Sequence, residues 1–177
     1  PNPICVGSTS TLTANCSGST LVWYTDIGLT NSTGNSVSPT DTTTYYAVCE
    51  NLGCKSTPVS LTLNVNPIPV VTAAASPSTI CLGDQSVLTA TGATTYSWMP
   101  GGMTGASTTV SPTTTTTYTV TGTTNGCSAI DTVTVIVNPT TTNGDASATA
   151  CDSYSWNGNS YTVSGTYTYT SMNAFGC

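Results

Sequence analysis

Thr132-Val133-Thr134-Val135 alternates hydroxyl-bearing and apolar side chains along the chain. Because successive side chains of an extended strand point to opposite faces, this stretch places valine on one face and threonine on the other. Threonine is the most frequent residue, with 41 in the sequence, and its β-branched side chain favours strands. We find no segment with the 3.6-residue apolar period of a helix. The sequence therefore predicts an all-β protein with no significant helix.

Several short motifs occur twice, at a nearly constant spacing, which indicates one small module built repeatedly. Each copy has short alternating segments separated by Gly, Pro and Asn turns, a pattern typical of a β-sandwich. The paired motifs are Ile4-Cys5-Val6-Gly7 with Ile80-Cys81-Leu82-Gly83, Leu52-Gly53-Cys54 with Asn125-Gly126-Cys127, and Val65-Asn66-Pro67 with Val137-Asn138-Pro139. We predict module 1 at 1–67, a linker at 68–74, module 2 at 75–139, a linker at 140–149 and a partial third module at 150–177.

The order of the large side chains in each copy is that of an immunoglobulin-like sandwich, with a tryptophan strand before a tyrosine-led strand. Trp23 and Tyr45 hold these places in the first copy, and Trp98 and Tyr118 hold them in the second. Alternation also predicts which side chains face inward. In the first copy these are Leu12, Ala14 and Cys16 on an early strand, and Val59, Leu61, Leu63 and Val65 on the last strand.

Eight cysteines and no histidine occur in the chain, and no two cysteines have CxxC spacing. This set argues against a zinc site and indicates disulfides, which form in oxidising compartments such as the cell exterior or a periplasm. Modules of 65 to 70 residues bury a modest core and usually need such covalent links. We therefore expect every cysteine to have a structural partner.

A joint exchange of cysteine for glycine identifies one of the bonds. When the two copies are aligned, Cys16 falls on Gly92 and Cys49 falls on Gly122. Two residues that change together in this way are what a disulfide between facing strands would leave. The repeat suggests two more bonds, and position in the chain suggests the fourth. The predicted pairs are Cys16–Cys49, Cys5–Cys54, Cys81–Cys127 and Cys151–Cys177, each stabilising by roughly 3.5 to 4 kcal/mol as an upper figure.

The charge of the chain excludes several functions. Its net charge is −6, with one lysine and no arginine, so it lacks the cations that nucleic acid binding requires. No apolar run reaches the 18 or more residues of a membrane span, so we expect no membrane insertion. Without histidine there is no Ser-His or Cys-His couple, and the seven acids are scattered. We predict neither enzymatic activity nor a cofactor.

Three stretches of the second copy carry a resemblance to known proteins. They are Ile80-Cys81-Leu82-Gly83 with 86–92, Tyr96-Ser97-Trp98 with the threonine run to Tyr118-Thr119-Val120, and Asn125-Gly126-Cys127 through Val137-Asn138-Pro139. These stretches resemble the tandem immunoglobulin-like and PKD-like repeats of very large cell-surface adhesins of Bacteroidota, including the gliding-motility adhesins. The resemblance covers most of the chain and is specific for module 2, whereas module 1 departs through its extra cysteine pair. The segment 150–177 resembles another repeat type of the same proteins.

The resemblance implies a stalk or adhesin fragment at the bacterial cell surface or in an extracellular filament, exported by a type IX-like route. Its partners would be other modules of the same long chain or neighbouring subunits, and surface glycans. Two rival functions stay open. One is a carbohydrate-binding accessory module of a secreted enzyme, and the other is a self-assembling filament subunit.

Three kinds of site follow from the resemblance or from composition. Proteins of this group are O-glycosylated at Asp-Ser/Thr motifs, which singles out Thr42 and Thr132 as candidates. PKD-like modules sometimes hold calcium between oxygens, and the candidates here are Asp26, Asp84 and Asp131, with solvated surface acids as the alternative. Aromatic side chains stack on sugars, and the candidates are Trp156, Tyr161 and Tyr167, with a small-module core as the alternative.

Overall fold

The computed structural model describes residues 3–140, 144–148, 153–156, 158–163, 165–169 and 177. Throughout these residues the chain forms strands and turns and no helix, which confirms the all-β prediction. Two compact units are present. The first comprises Pro1–Thr72, Ala90–Ala106 and Val120–Asp131, and the second comprises Ala73–Thr89, Ser107–Thr119 and Thr132–Cys177. Since these units do not follow the repeat, the module boundaries stay a prediction, and we use "first repeat" for 1–67 and "second repeat" for 75–139.

The first repeat contains nine strands. Its main sheet has the order β4-β3-β6, and both β7 and β8 pair with β6. Two short ladders complete it, β2 with β5 and β1 with β9. The strands are β1 (Ile4–Cys5), β2 (Ser10–Thr11), β3 (Thr20–Tyr24), β4 (Ser32–Thr33), β5 (Ser36–Val37), β6 (Thr43–Asn51), β7 (Cys54–Lys55), β8 (Val59–Leu63) and β9 (Val65–Asn66).

One hydrophobic cluster holds the first repeat together. Trp23 and Tyr45 both belong to it, as the order of aromatic residues predicts. The other buried members are Ile4, Leu12, Val37, Ala47 and Leu63. Removing apolar surface of this kind from water is the main favourable contribution to folding.

Two inward faces predicted from alternation are shorter than expected. Residues 12–16 form no strand, and of the early set only Leu12 is buried, while Ala14 is exposed. On β8, Val59 is 67% exposed and Leu61 38% exposed, so only the end at Leu63 enters the core. The reason is that β8 is an edge strand whose single partner is β6, and alternation alone does not reveal how far the opposite layer extends.

The second repeat is a sandwich of a three-stranded and a five-stranded sheet, with the orders β10-β12-β15 and β11-β17-β16-β13-β14. Its early strand is regular, unlike residues 12–16 of the first repeat. The strands are β10 (Thr72–Ser76), β11 (Thr79–Cys81), β12 (Ser86–Thr91), β13 (Thr95–Met99), β14 (Met103–Thr104), β15 (Ser107–Val110), β16 (Thr116–Thr124) and β17 (Cys127–Asn138). Thus residues 72–74 of the predicted linker belong to a strand.

The second repeat buries its aromatic side chains in the same order. Trp98 and Val135 are fully buried, and Tyr118 is 6% exposed. Trp98 Nε1 donates a hydrogen bond to the carbonyl oxygen of Gly105 at 3.1 Å. By contrast, Trp23 Nε1 in the first repeat is buried without a hydrogen-bond partner in the described part of the chain.

Outward-facing threonines pair across the sheets of both repeats. The Oγ1 atoms of Thr44 and Thr62 lie 3.0 Å apart, and those of Thr117 and Thr134 lie 2.8 Å apart. Cross-strand hydroxyl pairs of this kind each stabilise a sheet by a few tenths of a kcal/mol, roughly 0.2 to 1. These threonines therefore form part of paired sheet surfaces.

The last segment forms two antiparallel pairs, β18 (Gly144–Ala148) with β21 (Gly165–Tyr169) and β19 (Tyr154–Trp156) with β20 (Asn159–Tyr161). The predicted linker at 140–149 therefore contains a strand that pairs with the third module. A strand forms there despite the polar composition because it needs only a partner with free backbone groups.

Candidate linkage site

Each repeat begins with a cysteine that lies opposite an asparagine. Strand β1 runs parallel to β9 and places Cys5 opposite Asn66. In the second repeat, β11 runs parallel to β17 and places Cys81 opposite Asn138. These are the cysteine and asparagine of the repeated Ile-Cys and Val-Asn-Pro motifs. The motifs are therefore far apart in sequence but adjacent in space.

A second cysteine of each repeat follows a tight hairpin turn. Leu52 and Gly53 have φ values of 49° and 83°, and Asn125 and Gly126 have φ values of 50° and 81°. Two consecutive residues with positive φ form the two-residue turn that matches the twist of antiparallel strands. Both turns are followed directly by a cysteine, at positions 54 and 127.

Cys5 and Cys54 lie at opposite ends of the first repeat. At one end of β6, Asn51 pairs with Cys54, whereas at the other end Thr43 pairs with the end of β8 that leads into β9. The length of β6 is roughly 26 Å at about 3.3 Å per residue. A disulfide requires Cα atoms within about 7 Å of each other. The predicted Cys5–Cys54 bond is therefore wrong.

The same reasoning excludes a bond between Cys81 and Cys127. Strand β17 begins at Cys127 and ends at Asn138, the residue that lies opposite Cys81. The strand has 12 residues including both ends, so these positions are roughly 36 Å apart at about 3.3 Å per residue. The predicted Cys81–Cys127 bond is therefore also wrong.

Two bonds connect the Ile-Cys motifs to cysteines further along the chain, and in both cases the second cysteine directly follows a glycine in the sequence. Cys5 is bonded to Cys127 and Cys81 is bonded to Cys177, with Cα–Cα distances of 5.6 Å in both. The predicted Cys151–Cys177 bond is consequently wrong, because Cys177 already has another partner; Cys151 itself lies outside the described residues. Cys54 is the one described cysteine without a bond, and it is exposed.

The incoming turn at Cys127 is held by more than the disulfide. Asn66 Nδ2 donates a hydrogen bond to the carbonyl oxygen of Asn125 at 2.9 Å. Cys127 is 1% exposed. The Asn of the Val-Asn-Pro motif therefore recognises the backbone of the turn, and the neighbouring Cys bonds to its cysteine. The repeated Val-Asn-Pro motif carries part of this signal, since Asn66 and Asn138 occupy equivalent positions, but the repeat does not indicate which turn Asn66 contacts.

The third bond is the one that the glycine exchange predicts. Cys16 and Cys49 are joined in the structure, with a Cα–Cα distance of 5.6 Å. At the equivalent site of the second repeat, a Cβ on Gly122 would lie 2.5 Å from Cγ2 of Val71, and a Cβ on Gly92 would collide with the carbonyl oxygen of Val70. The segment before β10 thus covers the place of the missing disulfide, and only glycine leaves room for it.

The hairpin that carries Cys54 also carries the one lysine of the chain. Lys55 Nζ donates a hydrogen bond to Tyr24 Oη at 2.8 Å and lies 3.4 Å from Glu50 Oε1. Tyr24 Oη in turn donates to Glu50 Oε1 at 2.5 Å. The hydrogen bond from Tyr24, helped by Lys55, lowers the pKa of Glu50, and the hydrogen bond to Tyr24, followed by that to Glu50, raises the pKa of Lys55. This cluster connects β3, β6 and β7 beside the free cysteine.

The calcium candidates do not form a ligand cluster in the described residues, where no group of three acidic, histidine or cysteine side chains comes together. Asp26 instead accepts hydrogen bonds from the backbone of Thr30 and Asn31, and these lower its pKa, with the Thr30 backbone contributing most. Asp84 accepts a bond from Cys81 N–H at 3.4 Å, and Asp131 lies half-buried on β17. Calcium binding stays a prediction.

The modification and sugar-stacking candidates lie on separate elements. Thr42 is exposed and accepts a hydrogen bond from Val65 N–H at 3.1 Å, and Thr132 is exposed on β17. Trp156, Tyr161 and Tyr167 lie on β19, β20 and β21 respectively; only Tyr161 has a described side chain, which is half-buried. O-glycosylation and sugar stacking both stay predictions.

Residues 1–67 match the family described as "Ig-like domain CHU_C associated". The match falls on the first repeat, which is the one that departs from the adhesin resemblance through its extra cysteine pair. The chain matches no curated protein. Together with the sheets described above, the family match establishes an all-β, immunoglobulin-like fold with disulfides, which is a non-catalytic type of module.

Solved structures with immunoglobulin domains are similar to the chain over much of its length. The four N-terminal Ig domains of Dscam1 isoform 6.9 are 17% identical over 77% of this chain and 43% of theirs, with a TM-score of 0.33. The titin I-band fragment I67-I69 is 12% identical over 78% and 62%, with a TM-score of 0.38. The amphioxus IgVJ-C2 molecule is 17% identical over 73% and 95%, with a TM-score of 0.35. The chain thus spans less than half the length of the Dscam1 structure.

An immunoglobulin-like fold with disulfides indicates an extracellular or surface protein. Within the described residues no helix is long and apolar enough to cross a membrane.

Proposed function

We propose that this chain is a structural segment of a secreted cell-surface or filament protein, in which immunoglobulin-like repeats follow one another as a stalk. The observation that carries the proposal is that two disulfides each join a cysteine of one repeat to a cysteine beyond that repeat. Cys5 is bonded to a residue 122 positions further on, and Cys81 to one 96 positions further on. Bonds between residues so far apart in sequence connect one repeat to the next, whereas the disulfides of a separate binding module would join two cysteines of the same module.

The surface chemistry supports the same function. The outward faces of the sheets carry threonine pairs such as Thr44 with Thr62, which hydrate the surface without adding charge. The chain has one lysine and no arginine, so proteases that cut after basic residues have one site. Such a surface suits an extended segment outside the cell. The Bacteroidota adhesin origin, with its type IX-like export, belongs to this proposal and rests on the sequence resemblance and the family match of residues 1–67.

Mechanical extension of single molecules tests the proposal. With the chain pulled from residues next to Cys5 and Cys177, the shortest covalent path in the oxidised protein runs between Cys127 and Cys81, so full unfolding would extend it by roughly 160 Å. After reduction the whole backbone between the attachment points is released, and the length rises to roughly 600 Å.

A variant with Cys16→Ala and Cys49→Ala is the matched control, because that bond lies off the shortest path and should leave the oxidised length unchanged. An oxidised length that equals the reduced length would reject the stalk, since the bonds would then not limit extension.

A further inference from the structure

The turn at Leu52-Gly53-Cys54 has the geometry of a bonded turn but no partner. Its φ values match those of Asn125-Gly126 within a few degrees. Both turns close a hairpin between the tyrosine-led strand and the next one. At the second turn the cysteine is buried and bonded, whereas Cys54 is exposed and unbonded. The two turns therefore have the same backbone conformation and differ only in whether their cysteine forms a disulfide.

A second observation concerns Leu52. Its side chain is 98% exposed and its φ is 49°, an αL conformation that costs a residue with a Cβ about 1 kcal/mol. Water and local strain both disfavour a leucine there. The equivalent residue of the bonded turn is Asn125, whose carbonyl oxygen accepts the hydrogen bond from Asn66. Leu52 thus presents an apolar side chain and a backbone carbonyl at the place where the bonded turn contacts its neighbour.

The hairpin is also held in place before any partner arrives. Glu50 pairs with Lys55 across the hairpin, and Tyr24 bonds to both from β3. In the bonded hairpin the equivalent positions are Thr123 and Ser128, whose hydroxyls lie 2.8 Å apart. The unbonded turn is therefore the more strongly braced of the two, which reduces the ordering entropy that binding would cost.

We propose that Cys54 is the acceptor for the Ile-Cys strand of an immunoglobulin-like repeat that precedes this one in the same polypeptide. This rests on the proposed function, a stalk of consecutive repeats. The direction follows from the two observed bonds, in each of which the Ile-Cys cysteine comes first and a cysteine preceded by glycine comes later. The partner is therefore a strand with a cysteine opposite the asparagine of a Val-Asn-Pro motif, as at Cys5 and Asn66.

Bond formation is a two-electron oxidation. The thiolate of one cysteine attacks a sulfur of an external disulfide, such as a disulfide oxidase or oxidised glutathione, and releases one external thiol. The second cysteine then attacks this mixed disulfide and releases the other external thiol. Two protein thiols become one disulfide, and the external disulfide becomes two thiols. In the observed bond, Asn66 holds the turn in place by donating one hydrogen bond to the carbonyl oxygen of Asn125.

The test is a fusion in which a second copy of residues 1–76 is placed directly before Pro1, so that the spacing of the two Ile-Cys motifs is reproduced. Within the copy, Cys54→Ser removes its own turn thiol and Val6→Ile marks its Cys5 peptide. Peptide mapping without reduction should find Cys54 of the original chain joined to the marked Cys5 peptide. Native alkylation of Cys54 should fall at least about tenfold relative to the unfused chain.

A second fusion, with Cys5→Ser in the copy, is the matched control and should restore alkylation of Cys54. If Cys54 stays reactive in the first fusion while the copy forms its own Cys16–Cys49 bond, the copy has folded and the proposal is overturned. Disulfide-linked oligomers of the unfused chain, formed through Cys54, would overturn it as well, because the partner would then be another polypeptide.

This outcome is independent of the stalk experiment. The oxidised extension limit depends on Cys5–Cys127 and Cys81–Cys177, neither of which involves Cys54. A free Cys54 in a chain that keeps its extension limit would reject only the acceptor role. A lost extension limit would reject the stalk, whatever Cys54 does.

Discussion

The two repeats stabilise the same place in the fold by different means. In the first repeat the early segment around Cys16 is irregular and is joined to β6 by the Cys16–Cys49 disulfide. In the second repeat the equivalent segment is strand β12, which pairs with β15 on one side and β10 on the other. Val70 and Val71 then cover Gly92 and Gly122, where the disulfide would lie. A disulfide in one copy thus lies at the place that residues 70 and 71 cover in the other.

The same position is thus filled by a disulfide in the first repeat and by packed backbone in the second. A disulfide stabilises chiefly by restricting the unfolded chain, so it works on an irregular segment. A closely packed segment such as residues 70 and 71 buries apolar surface, but it requires glycines beneath it. The exchange of cysteine for glycine in the sequence thus reflects a replacement of the disulfide by closely packed backbone.

The largest effect on this comparison should come from removing the disulfide of the first repeat. With Cys16→Ala and Cys49→Ala, the loop closed over 33 positions is released, and we expect a loss of up to about 3.7 kcal/mol. Denaturant-dependent hydrogen exchange in β3 and β6 measures this loss. Exchange in β12 should stay unchanged, and equal stability of β6 in both proteins would show that the disulfide is not the cover we describe.

The converse change in the second repeat is Gly92→Ala. Its φ is 94° and its Cβ would overlap the carbonyl of Val70, so the strand or the covering segment must shift. We expect destabilisation of about 3 kcal/mol, measured by urea unfolding. Gly102→Ala is the matched control, because its φ is 64° and nothing lies within 4 Å of the new Cβ. It should lose only about 1 kcal/mol, and similar losses at both sites would contradict the close approach.

The two core tryptophans give a smaller, paired test. Trp98→Phe removes the hydrogen bond to Gly105, whereas Trp23→Phe removes a buried N–H without a described partner. Both changes leave cavities of similar size, so the difference between them reports the hydrogen bond. We expect Trp98→Phe to be the more destabilising by about 1 kcal/mol in thermal or urea unfolding. The reverse order would mean that Trp23 Nε1 is the better satisfied donor.

The smallest effect should be a pH dependence confined to the first hairpin. Because the pKa of Glu50 is lowered by Tyr24, the contribution of Glu50 to the stability of the hairpin is present above roughly pH 4.3. It is lost as the pH falls through the pKa of Glu50 in the folded protein. Because the pKa of Lys55 is raised by Tyr24, the contribution of Lys55 to the stability of the hairpin is full below roughly pH 10.4. It is lost as the pH rises through the pKa of Lys55 in the folded protein.

Amide protection of Ser56, which donates to Cys49, measures this window after correction for the intrinsic exchange rate. Glu50→Gln should remove the acid-side loss and leave the alkaline side in place. The hairpin at Asn125 has hydroxyl groups in these positions and should keep constant protection over the same range. An equal response in both hairpins would place the titration elsewhere.

Much of the fold follows from the sequence by local rules. Alternation along 132–135 predicts strand β17, and the order of Trp23 and Tyr45 predicts an immunoglobulin-like core. Local rules predict less well which side chains of a strand are covered by the opposite sheet. Val59 and Leu61 alternate correctly yet stay exposed, because their burial depends on the extent of the other sheet.

The cysteine pairing shows where reasoning from the repeat alone falls short. A repeat gives equivalence between Cys54 and Cys127, but it does not distinguish a bond within a copy from a bond to the next. Strand length does distinguish them. The span from Cys127 to Asn138 was present in the sequence as one long alternating run, and its length excludes Cys81 as a partner. By contrast, the approach of Val70 to Gly92 depends on tertiary packing that no local pattern encodes.

The overlap of the two long bonds has a consequence for a chain exposed to proteases. The loop from Cys5 to Cys127 and the loop from Cys81 to Cys177 share the stretch between 81 and 127. A single backbone cut anywhere between Cys5 and Cys177 therefore leaves all parts connected, because a route through one of the bonds always remains. No single peptide bond in this region is therefore the only covalent connection between two parts of the molecule. Two cuts in suitable places are needed to sever it, so damage to one peptide bond does not detach what lies beyond it.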